Sequence, residues 1–93
     1  MRTIWHFAIE FVDDPKQKKI YFEISMPQRA AILYLRDTCG SPKFWAMVNT
    51  EEPKEYRKFC VYQTGENIEY PARLYIGTFL KYGKIWHLFE VEQ

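Results

Sequence analysis

The chain has 93 residues with 13 basic and 12 acidic side chains, which gives a formal net charge of +1. A chain this short supports one hydrophobic core, so residues 1–93 are expected to form a single domain. The balanced charge argues against a general attraction to nucleic-acid backbones or anionic membranes. No stretch reaches the roughly 18 consecutive apolar residues of a membrane-spanning helix, and the first residues do not resemble a secretory leader, so we expect a cytoplasmic protein.

Strand-like segments in the first half of the chain are separated by turn-forming residues. The first segment alternates apolar and polar residues, and Pro15 in the polar stretch 13–19 prevents it from continuing, so the chain must reverse there. Pro27 ends the second strand, and the turn formers of residues 37–42 join the third and fourth strands as a hairpin. The four strands predicted in this half are Thr3–Phe11, Ile20–Met26, Ala30–Arg36 and Phe44–Asn49.

The second half of the chain ends in a predicted β-hairpin. Residues 73–91 are rich in β-branched and aromatic residues, and the Lys81–Lys84 break contains the glycine that a tight turn needs. A further strand, Tyr56–Gln63, precedes the hairpin, and Pro71 makes the connection irregular. Without a helix long enough for a βαβ unit, the pattern predicts an all-β fold, a small single-domain barrel or sandwich of about seven antiparallel strands.

Period-two alternation separates a predicted core from a predicted surface. The closing hairpin is apolar on both faces, which predicts a central position in the fold or a face covered by a partner, and we therefore expect a homodimer. The predicted core consists of Trp5, Phe7, Phe22, Ile24, Phe44, Val48, Phe59, Val61, Ile76 and Phe89. The rings not needed for that core are the candidate binding residues Trp45, Tyr56, Tyr62, Tyr75 and Trp86.

Two histidines supply the alternative hypothesis of a small enzyme or metal-dependent protein. If the first and last strands pair, His6 and His87 lie near each other as a ligand pair or as acid and base. Two histidines without a third ligand or a neighbouring nucleophile make an incomplete site, however. We therefore predict no enzyme, no metal and no cofactor.

The cysteines have no metal-ligand spacing, and without a leader we expect free thiols rather than a disulfide between Cys39 and Cys60. A catalytic role for Cys60 would need a cation that lowers the pKa of its thiol, and Lys58 is the candidate. The preferred interpretation of Cys60 is a small packed residue.

One strand also suggests single-stranded nucleic-acid binding as a further alternative. Tyr56, Arg57, Lys58 and Tyr62 combine rings and cations in a pattern that can stack unpaired bases on a sheet face. The same pattern arises on a solvated strand in which lysine and arginine stems cover tyrosine rings. The balanced charge of the chain favours the second interpretation.

Four motifs resemble a family of short uncharacterised proteins found mostly in phage and prophage genomes. They are the opening Thr3-Ile4-Trp5, the central Trp45-Ala46-Met47-Val48, Tyr75-Ile76-Gly77-Thr78 and the closing His87-Leu88-Phe89-Glu90. The resemblance extends nearly from end to end and departs in residues 14–19 and 69–72. It brings no known activity, and it implies an accessory protein that interferes with a host system in the cytoplasm of the host cell.

Binding is therefore the predicted function. An aromatic content of 18% is high for an ordinary domain, and exposed tyrosine and tryptophan are efficient anchors for a partner. We expect a non-enzymatic phage-type accessory protein that binds a host protein or a small ligand through an aromatic sheet surface. Antagonism of a host defence system is the candidate role.

Overall fold

The computed structural model describes residues 1–38 and 40–92, without the side chain of Thr38, and over these residues the chain forms seven β-strands. Cys39, a predicted free thiol, lies outside the described residues. None of the described residues belongs to a helix that could cross a membrane. The strands are β1 (Arg2–Ala8), β2 (Tyr21–Pro27), β3 (Ala31–Thr38), β4 (Ser41–Asn49), β5 (Lys54–Gln63), β6 (Ala72–Lys81) and β7 (Lys84–Val91).

Two antiparallel sheets form a sandwich, which confirms the predicted all-β fold. The three-stranded sheet has the order β1-β4-β3, and the four-stranded sheet has the order β2-β5-β7-β6. The predicted hairpins β3–β4 and β6–β7 are both present. Tyr82 and Gly83 have φ angles of 56° and 70°, the conformation of the two-residue turn that matches the twist of a hairpin.

The turn after β1 is present, yet it does not connect two paired strands. Val12 and Lys19 form an isolated antiparallel bridge across it, with backbone bonds of 2.9 and 2.8 Å. The chain then enters the other sheet, so β1 and β2 lie on different layers. Among the described strands β1 pairs only with β4, so its second edge is unpaired and this side of the sandwich is the more open one.

The opposite side of the sandwich is closed by β3 and β6. Register shifts, the sign of β-bulges, occur in β3 between Ile32 and Tyr34 and twice in β6. A Cβ atom at Gly77 would lie 3.0 Å from the Cβ atom of Leu35, so the absence of a side chain in β6 allows the two layers to approach.

The core lies between the facing sides of the two sheets. Phe44 and Phe59, one from each sheet, are fully buried with ring centroids 5.3 Å apart. Of the predicted core, the fully buried members are Phe44, Val48, Phe59 and Val61, and the partly buried residues packed against them are Trp5, Phe7, Phe22, Ile24 and Ile76. The placement of Phe89 in this core is wrong, because it packs on the outer face of the four-stranded sheet beside a second cluster of Cys60, Tyr62 and Val91.

An ion pair is buried inside the sandwich. Arg57 of β5 donates from Nε and Nη2 to the two carboxylate oxygens of Glu90 in β7, at 2.7 and 2.6 Å. Its third nitrogen, Nη1, donates to the carbonyl oxygen of Ala30 at 2.6 Å. Only 11% of the Arg57 side chain and 2% of the Glu90 side chain are exposed. The sequence interpretation of Arg57 as part of a solvated aromatic and basic strand face is therefore wrong.

Truncation of the central ring should be far more damaging than truncation of its partly exposed neighbour. Phe44→Ala removes a fully buried ring, and we expect it to lower the free energy of unfolding by about 3–5 kcal/mol. Phe7 stacks on Phe44 at 5.3 Å but remains partly exposed, so Phe7→Ala should lose clearly less. Urea denaturation of the two variants checks this order, and equal losses would contradict it.

Removal of one member of the buried ion pair should be worse than removal of both. Glu90→Leu leaves the Arg57 charge unpaired in the core, and we expect a loss of about 3–5 kcal/mol in the free energy of unfolding. The double variant Arg57→Met/Glu90→Leu should be more stable than this single variant. Denaturant melts of the parent and both variants measure the difference, and a double variant less stable than Glu90→Leu would contradict the argument.

Candidate functional site

The five predicted binding rings do not lie on one surface. Trp45 is half-buried on the outer face of the three-stranded sheet, whereas Tyr56 and Tyr75 are exposed on the outer face of the four-stranded sheet. Tyr62 and Trp86 are 3% and 0% exposed. The prediction that these last two rings lie at the surface is wrong.

Trp86 belongs to the centre of the core. Its ring lies 4.8 Å from that of Phe11 in an edge-to-face arrangement, and its Nε1–H donates to the carbonyl oxygen of Lys81 at 2.9 Å. The polar edge of the indole is therefore satisfied inside the protein, which allows the whole ring to be buried without an unpaired donor.

Tyr62 is covered by the segment that leads into β6. Its hydroxyl accepts a hydrogen bond from the backbone N–H of Tyr70 at 3.2 Å, and the Tyr70 ring lies 5.2 Å from that of Tyr21. Burial raises the pKa of Tyr62 to about 12, so the phenol stays protonated at physiological pH. The irregular connection predicted around Pro71 thus acts as a cover for one end of the sheet.

The outer face of the three-stranded sheet presents a continuous apolar surface. It consists of two cross-strand rows. Ile4 pairs with Met47 in one row, and Trp45 lies between His6 and Tyr34 in the other. Ile4, Tyr34 and Met47 are 58%, 61% and 41% exposed. We refer to Ile4, His6, Tyr34, Trp45 and Met47 together as the outer patch.

The geometry of the outer patch follows from strand alternation. Because Trp5 and Phe7 point into the sandwich, their neighbours Ile4 and His6 must point out, and the register aligns them with the outward residues of β4. The His6 and Trp45 ring centroids are 6.2 Å apart. A shallow depression of 360 Å³ lies beside Ile4 and Met47. Leu33, next to the patch at the register shift of β3, is also exposed.

Basic residues flank the outer patch at both ends. The register places Arg2 beside Asn49 at one end and Lys43 beside Arg36 at the other. No ion pair within residues 1–38 and 40–92 involves any of these three cations. An apolar centre with basic flanks complements a partner surface that combines apolar and acidic groups.

The two histidines lie on opposite outer faces of the sandwich. β1 pairs with β4 and β7 pairs with β5 and β6, so the strand pairing that would bring His6 and His87 together does not occur. In His87, Nε2 bonds the Thr64 hydroxyl at 2.8 Å and Nδ1 bonds the Thr78 hydroxyl at 3.0 Å. The Thr78 hydroxyl also contacts that of Tyr75.

Both ring nitrogens of His87 are therefore used to connect β7 with its neighbours. The two hydrogen bonds fix the orientation of the imidazole, and a metal ion would have to displace one of them in order to bind a ring nitrogen. Among residues 1–38 and 40–92, no group of three or more His, Cys, Asp and Glu side chains is placed to hold a metal ion.

Cys60 is a free thiol that is fully buried on the outer face of β5. Burial raises the pKa of this thiol, which is opposite to the shift that a nucleophilic cysteine requires. Cys60 packs with Tyr62 and Val91, which confirms its interpretation as a small packed residue.

A groove of 520 Å³ opens where the segment after β1 faces β2. Its apolar lining residues are Ala8, Phe11, Val12, Phe22 and Ile24. The charged lining residues are Glu10, Glu23, Lys19 and Lys81, two acids and two bases that give it no preference for either sign of charge.

Ile4, Tyr34 and Met47 were missed as candidate surface residues. In β4, two apolar residues, Trp45 and Met47, occupy consecutive outward positions, and this signal was readable in the sequence. In β1, Ile4 is likewise an apolar residue at an outward position. Tyr34 could not be assigned to a face, because the register shift of β3 changes the alternation there.

The Cys60 thiol should be unreactive while the protein is folded. In a Cys39→Ser background, we expect an aromatic disulfide reagent to label Cys60 only after denaturation, because the folded thiol is buried and protonated. Absorbance at mildly alkaline pH measures the labelling rate. Rapid labelling of the folded protein would contradict the burial.

Comparison with known proteins places the chain by sequence. No solved structure and no curated protein matches it. The model of an uncharacterised family, described as Domain of unknown function (DUF7352), matches residues 1–93. This match includes every strand of both sheets and the whole outer patch. The chain therefore belongs to the family described as Domain of unknown function (DUF7352).

Proposed function

We propose that the protein is a non-enzymatic binding module that attaches to a partner protein through the outer patch. The observation that carries this proposal is the exposure of a contiguous apolar sheet face in a domain that has a separate core of buried residues between its sheets. Soluble proteins rarely leave such a face open unless a partner covers it. Trp45 and Tyr34 supply rigid rings with a large contact area, which are typical anchors of protein interfaces.

The chemistry of the patch selects the kind of partner. Ile4 and Met47 are aliphatic and offer nothing specific to a sugar or a phosphate, whereas they suit the apolar centre of a protein interface. Arg2, Arg36 and Lys43 at the two ends favour acidic groups at the rim of the partner surface. The partner is thus a protein with an apolar patch bordered by Asp or Glu.

The partner protein belongs to the host in this proposal. The resemblance to phage-encoded accessory proteins supports a chain that acts in the host-cell cytoplasm by occupying a surface of a host protein, with a component of a defence system as the candidate. A small domain that blocks a surface needs no catalytic group.

Single-stranded nucleic acid is a second candidate because of one observation. His6, Trp45 and Tyr34 form a row of rings across three strands with Lys43 and Arg36 in the next row, and stacked bases beside a phosphate backbone would fit this order. This face replaces the β5 face considered from the sequence, where Arg57 and Tyr62 are buried. Binding to an oligonucleotide that weakens steeply with added salt would favour this candidate.

A charge placed in the outer patch should abolish capture of the partner. The immobilised parent, Met47→Asp and Leu80→Asp would each be incubated with bacterial lysate, and bound proteins identified by mass spectrometry. Leu80 is the matched control, because it is an exposed aliphatic residue on the outer face of the other sheet. We expect a protein that binds the parent and Leu80→Asp but not Met47→Asp.

The purified partner then allows a quantitative test. We expect Trp45→Ala to fold as the parent does and to lose about 2 kcal/mol or more of binding free energy, roughly thirtyfold in affinity, by calorimetry. A partner that binds the parent and the two aspartate variants equally would show that the working surface lies elsewhere.

A further inference from the structure

Four strands lie at sheet edges, and three of them carry features that discourage pairing with another chain. β3 and β6 contain register shifts, and the Leu80 N–H at the β6 edge already donates to the Asp37 carboxylate at 3.3 Å. β2 contains Glu23 and ends at Pro27. Bulges, prolines and charges are the usual protection of a sheet edge.

β1 has the least of this protection, because Arg2, its first residue, is its one charged side chain. Its register with β4 is unbroken over the seven residues Arg2–Ala8, which contain no proline and no acidic residue. Trp5 and Phe7 on its inner side remain partly exposed, and no described strand pairs with the second edge of β1.

The hydrogen bonds to β4 show which backbone groups face the free edge. Thr50 N–H donates to the carbonyl oxygen of Met1 at 2.9 Å, and Ile9 N–H donates to that of Pro42 at 3.0 Å. Odd-numbered residues of β1 therefore direct their N–H and C=O groups at β4, since antiparallel bonds alternate along a strand. The even-numbered residues, among them Ile4 and His6, present theirs to the open edge.

We propose that β1 of one chain pairs antiparallel with β1 of a second copy, with Trp5 on the two-fold axis. In this register Ile4 of one copy lies opposite His6 of the other, so the groups that face the open edge bond each other. The two sheets become one continuous sheet in the order β3-β4-β1-β1-β4-β3.

The register is self-complementary in charge and shape. Arg2 of one copy lies opposite Ala8 of the second copy, two residues from Glu10. The nearest charged residue across the edge is therefore an acid, and no like charges face each other. The two Trp5 residues form a non-hydrogen-bonded pair, in which the Cα atoms of the two strands are closest. Each Trp5 side chain therefore covers the exposed area of the other.

A second copy fits this edge better than an unrelated strand for these reasons. The dimer also sets two outer patches side by side on one sheet face, which would double the surface available to a partner. The pairing itself rests on backbone groups and does not depend on the proposed function.

Amide exchange in the unaltered chain tests the pairing directly. The Ile4 and His6 amides face away from β4, so they should exchange rapidly in the monomer and become protected as protein concentration rises. NMR-detected exchange, with sedimentation to follow the shift from the 11.3 kDa chain to twice that mass, gives both readouts. Rapid exchange of these amides at every concentration, or a monomer throughout, would overturn the proposal.

A proline at the open edge should dissociate the dimer without unfolding the chain. His6→Pro removes an N–H that β4 does not use, and we expect at least about a tenfold weaker dimer, while His6→Ala should dimerise nearly as the parent does. Equal dimerisation of His6→Pro and the parent would overturn the proposal.

A cross-link tests the register if the proline variant does not fold. In a Cys39→Ser background, Trp5→Cys should form an intermolecular disulfide rapidly, because the paired Cα atoms would be about 4.5 Å apart. Thr3→Cys is the matched control, since its two copies would be about 13 Å apart along the sheet. Equal cross-linking of both variants, or none, would reject this register. Cross-linking to a different protein would assign the edge to another partner.

Discussion

The buried pair of Arg57 and Glu90 constrains the rest of the sandwich. Two charges taken out of water cost several kcal/mol each unless their hydrogen bonds are fully replaced, and here the carboxylate receives two arginine nitrogens while the third reaches the Ala30 carbonyl. Glu90 must therefore face inward. Because side chains alternate along a strand, Trp86 and Leu88 of β7 then also point into the core. Arg57 fixes β5 in the same way, with Phe59 and Val61 inward.

The same alternation sends Cys60, Tyr62 and Phe89 to the outer face of the four-stranded sheet. This face would be exposed if the chain did not cover part of it, and the connection around Tyr70 and Pro71 does so with a backbone bond to the Tyr62 hydroxyl. The long connection before β6 is thus a packing element. The outer face of the three-stranded sheet has no comparable cover among the described segments, as the exposure of Ile4 and Tyr34 shows.

Sequence patterns predicted the strands well because each was bounded by turn chemistry, such as Pro15, Pro27 and Gly83. They predicted faces poorly wherever both sides of a strand were apolar. In β7 the prediction placed Phe89 inside and Trp86 outside, the reverse of the structure, because both faces of this strand are largely apolar. A charge buried with a partner, such as Glu90, cannot be distinguished from a solvated one by period alone. The separation of His6 and His87 depended on which strands pair, which local alternation does not specify.

The uncovered outer patch and the unpaired edge of β1 lie next to each other on the three-stranded sheet. The edge is open because the segment after β1 crosses to the other layer, so no described strand pairs with β1 on its second side. The core does not need that neighbour, because β3 and β6 close the sandwich on the opposite side. The three-stranded sheet thus leaves Tyr34 and Met47 exposed and Trp45 half-buried on its outer face, beside an edge strand whose backbone groups are unpaired on one side.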